Sequence, residues 1–155
     1  MFFKLLLLLM LNAKKWGTNW TQFNTSCFYQ TNLIQVLNSY SRLTISEIKK
    51  DIALFLIFVD EFKKEVVQNP EVGGTLGFPC GEPIDKCQLR KQKWARLPSL
   101  SGAARLGRLI YLVDNETKII NLVWIYTHKE YEKQPPDREL HKAIKEAFKD
   151  SYLGD

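Results

Sequence analysis

Two runs of the sequence, Arg108–Val113 (RLIYLV) and Ile119–Tyr126 (IINLVWIY), are dense in β-branched, leucine and aromatic residues, and five polar residues, Asp114–Lys118 (DNETK), separate them. Such runs favour strands, and a connector that short returns the chain antiparallel to itself. A hairpin is therefore the fixed element around which the rest must pack. Its apolar runs call for helices packed against them.

Helices are available on both sides in sequence. Ile45, Ile48, Ile52, Phe55, Leu56, Val59, Phe62 and Val66 recur at three- and four-residue steps, with Thr44 or Ser46 placed to cap the start. This helix must end near Gln68-Asn69, because Pro70 disfavours helical geometry in its predecessor and Gly73, Gly74 and Gly77 follow. Past Pro135-Pro136, residues Leu140, Ile144, Ala147 and Phe148 form the buried stripe of a final helix, with Asp137 and Glu139 suited to the positive end of its dipole. Earlier, Trp20–Tyr29 reads as a first strand and Leu33, Ile34, Val36, Leu37 and Tyr40 as a short helix. A further strand is expected around Lys86–Lys91. The order predicts an α+β domain over residues 20–150, with a helical hairpin packed on one side of a small antiparallel sheet and a C-terminal helix.

The chain has 155 residues, enough for one domain with a substantial core, and its 22 Lys+Arg against 17 Asp+Glu give a net charge of +5. That balance favours anionic partners. Cys27, Cys80 and Cys87 are odd in number and lack zinc or redox spacing, which points to idle thiols in a reducing compartment. Residues 1–19 stand apart as an apolar extension: MFFKLLLLLM is too short to span a bilayer and is followed by Lys14-Lys15. It reads either as the apolar core of a secretory signal, with Ala13 near a cleavage point, or as a start that contributes little to the fold. The Asn-x-Ser/Thr triplets at Asn19, Asn24 and Asn115 matter only if the chain is secreted.

Chemistry concentrates between Lys86 and Val113, where Lys86, Arg90, Lys91, Lys93, Arg96, Arg105 and Arg108 occur without any Asp or Glu. Spread over two strands and their loop, these cations would line one edge of the sheet as a phosphate track. Trp94 lies among them and offers a ring for a base to stack on; a solvated loop with Trp94 covering the core is the plainer alternative. Arg108 opens an apolar strand, which fixes its position and suits it to bidentate phosphate contact or else to a salt bridge at the rim. His128 follows the last strand, titrates near neutrality and shares strand parity with Leu122, Trp124 and Tyr126. His141 reads as a surface residue of the final helix. There is no P-loop, G-x-G-x-x-G, H-E-x-x-H or G-x-S-x-G, so no metal or small-molecule cofactor is expected.

Taken in order, Asn69-Pro70 with Gly73, the basic strand and loop, GRLIYLVDNETKIINLVWIYTHKEYEK, and PPDREL opening a terminal helix resemble the RelE/ParE toxin family over roughly residues 29–150. The resemblance implies a toxin of a type II toxin–antitoxin system: a cytoplasmic, ribosome-dependent endoribonuclease that cuts messenger RNA by 2′-hydroxyl attack without a metal. By position it implies Arg108 as the phosphate-contacting arginine and His128 as the proton-transfer residue. Lys91 or Lys93 would be the supporting cation. Tyr131 would orient or stack on a base, with Lys86, Arg90, Trp94, Arg96, Arg105 and Lys129 along the RNA path. The partners implied are a cognate antitoxin, the ribosome and messenger RNA, with no membrane partner. The family's ParE-like branch poisons DNA gyrase instead, and a non-catalytic binding module or decayed toxin would share the fold.

Overall fold

The computed structural model describes residues 22–25, 45–94 and 101–152, and its order of elements is β1 (Gln22–Thr25), α1 (Ile45–Gln68), β2 (Gly74–Thr75), β3 (Cys87–Trp94), β4 (Gly107–Asp114), β5 (Ile119–Thr127) and α2 (Asp137–Tyr152). One sheet takes all five strands in the order β1-β5-β4-β3-β2. The fold is α+β. The expected helix at Leu33–Tyr40, hence the hairpin it would form with α1, and the apolar extension lie outside the described residues.

The hairpin forms as its residues demand. β4 and β5 pair antiparallel from Gly107↔Thr127 to Asp114↔Ile119, and every residue of β5 is buried. The connector closes because the Asp114 carboxylate accepts the backbone N–H groups of Glu116 (2.9 Å) and Thr117 (3.1 Å), while Lys118 takes a left-handed φ of 60°. A register shift between Ile110 and Tyr111 puts Trp124 opposite Ile110 and Leu122 opposite Tyr111, so Val123 is the extra residue of a β-bulge.

The two helices cover opposite faces, where the sequence pattern suggests one side. Leu140, Ala143, Ile144 and Ala147 of α2 pack on Leu89, Ile110, Leu112, Val123, Trp124 and Tyr126. On the other face Phe62 of α1 meets the Tyr111 ring edge-on at 5.3 Å, and Val66 beside it is fully buried. α1 ends where Pro70 requires: Asn69 N–H still reaches Glu65 O (2.8 Å), and the Asn69 side chain then caps Glu71 N–H (3.2 Å). α2 begins on the Pro136 carbonyl, which accepts the N–H groups of Glu139 and Leu140, both at 3.0 Å.

Three features depart from a plain antiparallel meander. β1 pairs parallel with β5, from Gln22↔Ile119 to Thr25↔Leu122. β2 converts part of the glycine-rich connector into a short edge strand against Lys91 and Arg90. β3 runs past Lys91 to Trp94 because Lys93 and Trp94 find partners in Arg108 and Gly107. A polar, cationic stretch is a weak strand former, and here the apolar neighbour supplies the template.

Candidate active site

Strand alternation sorts the basic residues of β3. Leu89 faces α2, so Lys91 and Lys93 point to the same side, while Arg90 points to the other. Across the strand gap Lys91 pairs with Ile110 and Lys93 with Arg108, and Arg108 in turn pairs with Tyr126. Directly opposed residues share a face. Lys91, Lys93, Arg108 and Tyr126 therefore form a continuous row on the α2 side of the sheet.

His128 joins this row from the turn after β5. Its backbone N–H donates to Leu106 O (3.0 Å), which ties it to the start of β4. Its side chain is half-buried, and its pKa is lowered from 6.5, first by loss of solvent and then by the positive charges of Arg108, Lys91 and Lys93, with Glu132 acting the other way. Loss of solvent and three cations thus act on one imidazole, both favouring its uncharged form. The β-bulge corrects the parity expected from sequence: Leu122 lies with Tyr111, while Trp124 and Tyr126 stay on the α2 side.

The cations of this row are not taken up in ion pairs among the described residues. Arg108 Nη1 donates to Gly107 O (2.8 Å), and neither Arg108 nor Lys91 nor Lys93 forms a salt bridge with a described residue. Three positive side chains on adjacent strands, without an ion-pair partner among the described residues, suit an anionic ligand. Beside them Tyr131 sets its ring edge-on to Trp124 (6.3 Å) and Tyr126 (5.9 Å). The Tyr126 hydroxyl donates to Lys133 O (2.7 Å), and burial pushes it up to about 12 although Arg108 draws it down. It stays protonated.

Other expected contact residues are not brought to this row. Arg90 is 7% exposed, and its guanidinium donates to Glu71 O (3.0 Å), Gly73 O (2.7 Å) and Gln88 Oε1 (3.0 and 3.1 Å) and pairs with Glu71 at 3.4 Å. It holds the loop after α1 against the opposite side of the sheet. Lys86 lies before β3, where its ammonium meets Glu116 at 2.6 Å; at about 3.3 Å per residue it is roughly 20 Å from Lys93. Arg105 is half-buried in the 3₁₀ turn Gly102–Arg105, and Lys129 is exposed next to His128. Arg96 and the side chain of Trp94 lie outside the described residues.

Sequence reasoning missed Glu130. Its carboxylate accepts both the N–H (2.7 Å) and the hydroxyl (3.2 Å) of Thr127. The Thr-x-x-Glu spacing was the available signal, since it is the pattern of a capping box. His141 also differs from the surface residue expected, being largely buried with its Nε2 3.3 Å from Glu82. Cys80 and Cys87 are free thiols, and burial first, then Asp114, Asp85 and Glu116, push Cys87 up to about 12, which makes it a poor nucleophile. Among the described residues no His/Cys/Asp/Glu group could hold a metal, and no helix is long and apolar enough to cross a membrane.

No protein-family model and no curated protein matches this chain. Among solved structures, the free state of a double arginine-to-alanine mutant of the E. coli toxin RelE aligns over 82% of this chain and 93% of that chain, at 16% identity and a TM-score of 0.33. At that TM-score the likeness adds nothing to what the side chains themselves provide.

Proposed function

We propose that this chain is an RNA-cutting toxin of RelE type, a ribosome-dependent endoribonuclease acting on messenger RNA in the cytoplasm, with Arg108, His128 and Lys91 or Lys93 as its catalytic residues. The observation that carries this reading is the meeting of an imidazole with three cations on one face of the sheet, none of them in a salt bridge with a described residue. RNA cleavage by its own 2′-hydroxyl needs a base for that hydroxyl, positive charge for the phosphorane and a proton for the departing 5′-oxygen. His128 takes the 2′-hydroxyl proton. Arg108 and one lysine hold the non-bridging oxygens, and the other lysine ammonium protonates the 5′-oxygen, leaving a 2′,3′-cyclic phosphate and a 5′-hydroxyl. Tyr131, packed on Trp124 and Tyr126 beside the row, would meet the base of a neighbouring nucleotide.

A toxin of this kind needs an antitoxin, and the cationic row suits a segment rich in carboxylates. The direct test is cleavage of a short message on programmed ribosomes by the purified chain and by Arg108→Ala. Products with 5′-hydroxyl ends from the first and about 10²-fold or greater loss in the second are expected. Equal cleavage by both would refute the assignment.

A further inference from the structure

The turn that carries His128 is built around one carboxylate. Glu130 Oε2 accepts from Thr127 N–H at 2.7 Å and from the Thr127 hydroxyl at 3.2 Å, and in return Thr127 O accepts the N–H groups of Glu130 (3.0 Å) and Tyr131 (3.2 Å). Thr127 is fully buried, so its N–H has no recourse to water and depends on that carboxylate. His128 lies inside this closed ring, with its own N–H committed to Leu106 O. Both residues of the segment that reach the α2 side, His128 and Tyr131, are thus set by contacts that Glu130 closes.

From this geometry we infer that Glu130 is a positioning residue: by bonding Thr127 it holds the 127–131 turn so that His128 stands over Arg108 and Lys91 and Tyr131 stands over Trp124 and Tyr126. The inference deepens the reading of His128 as the proton-transfer group and rests on it. Glu130 acts through the backbone and not as a charge. The groups that move the His128 pKa are Arg108, Lys91, Glu132 and Lys93, and Glu130 is not among them. Burial raises the Glu130 carboxyl above the ordinary range even with two bonds from Thr127, in keeping with a carboxylate kept for what it holds.

The distinction can be measured, because Gln retains an acceptor oxygen for Thr127 N–H and Ala does not. On programmed ribosomes Glu130→Ala is expected to lower kcat about tenfold or more with KM changed less than about twofold, since a misplaced group loses turnover before binding. Glu130→Gln should restore most of kcat. Alongside, an NMR titration of the His128 ring in the free protein should show its pKa moving toward the ordinary histidine value in Glu130→Ala and unchanged in Glu130→Gln. An unmoved His128 titration in folded Glu130→Ala, or a Gln variant as impaired as Ala, would overturn the positioning role. The titration needs no activity, so a wild-type chain that fails to cut RNA would refute the proposed function while the His128 shift still decides the role of Glu130.

Discussion

Arg90 and Lys91 are neighbours on β3 and belong to two different kinds of site. On the α1 side Arg90 is buried, with bonds to Glu71, Gly73 and Gln88, and next to it the Tyr111 hydroxyl accepts Gly73 N–H (2.9 Å) and donates to Pro70 O (3.1 Å). On the α2 side Lys91, Lys93 and Arg108 stand together, and none of them forms a salt bridge with a described residue. One cluster is closed and fastens a loop. The other has no ion pair among the described residues, which is the kind of unbalanced local charge that a functional site carries. Basic residues of one short segment thus divide by strand parity into structure and chemistry.

The contrast predicts opposite responses to substitution, and the largest effect belongs to the α2-side cluster. His128→Gln should reduce cleavage by about 10²–10⁴-fold, the usual contribution of a positioned proton-transfer group, while its unfolding free energy in urea stays within about 0.5 kcal/mol of wild type, as at most surface positions. A large loss of stability in that variant would place His128 among the structural residues.

The closed cluster should do the reverse. Tyr111→Phe leaves buried Gly73 N–H without its acceptor and should cost about 1–3 kcal/mol. Gly73→Ala would set a Cβ 2.8 Å from Tyr111 Oη and 3.0 Å from Lys91 O, against backbone that cannot step aside, for a loss of about 1–3 kcal/mol. Both are read by urea denaturation, and both variants should still cut RNA when folded. An inactive, fully stable Tyr111→Phe would erase the division between the clusters.

Smaller effects follow from protonation. Cleavage should rise with pH through a midpoint below 6.5, because loss of solvent and then the cations lower the His128 pKa, and Lys91→Met should move that midpoint upward. A pH–rate series on ribosomes measures it; a midpoint unmoved by Lys91→Met would separate the lysine from the imidazole. The smallest effect is on stability. Glu130 has a raised pKa in the folded state, so the fold binds more protons than the unfolded chain between the ordinary carboxyl value of 4.5 and the raised one, and stability falls as pH rises across that window. Glu130→Gln should flatten this slope in denaturant titrations at successive pH values.

Much of this layout can be read from residue order. The hairpin, the end of α1 at Pro70 and the stripe of α2 follow from apolar runs and proline chemistry, which are local. The basic stretch from Lys86 to Arg108 and a histidine at a strand end are also visible in the sequence, but their sorting into one row is not, because it depends on the register of β3 against β4. What residue order hides is set by tertiary partners: β1 joins by parallel pairing, β2 exists only because β3 lies beside it, and the bulge at Val123 moves Leu122 to the other face. Arg90 shows the limit best. Nothing local distinguishes it from Lys91, and only the carbonyls of Glu71 and Gly73 make it a fastener.

The most direct measurement is induced expression of the chain in growing bacterial cells, with primer extension on several abundant messages, for wild type and His128→Gln. New cleavage ends within messages in the wild type that vanish in the variant are the expected result. Growth arrest without new ends would contradict it and turn attention to DNA gyrase, and undisturbed growth would leave the cationic face as a binding surface alone.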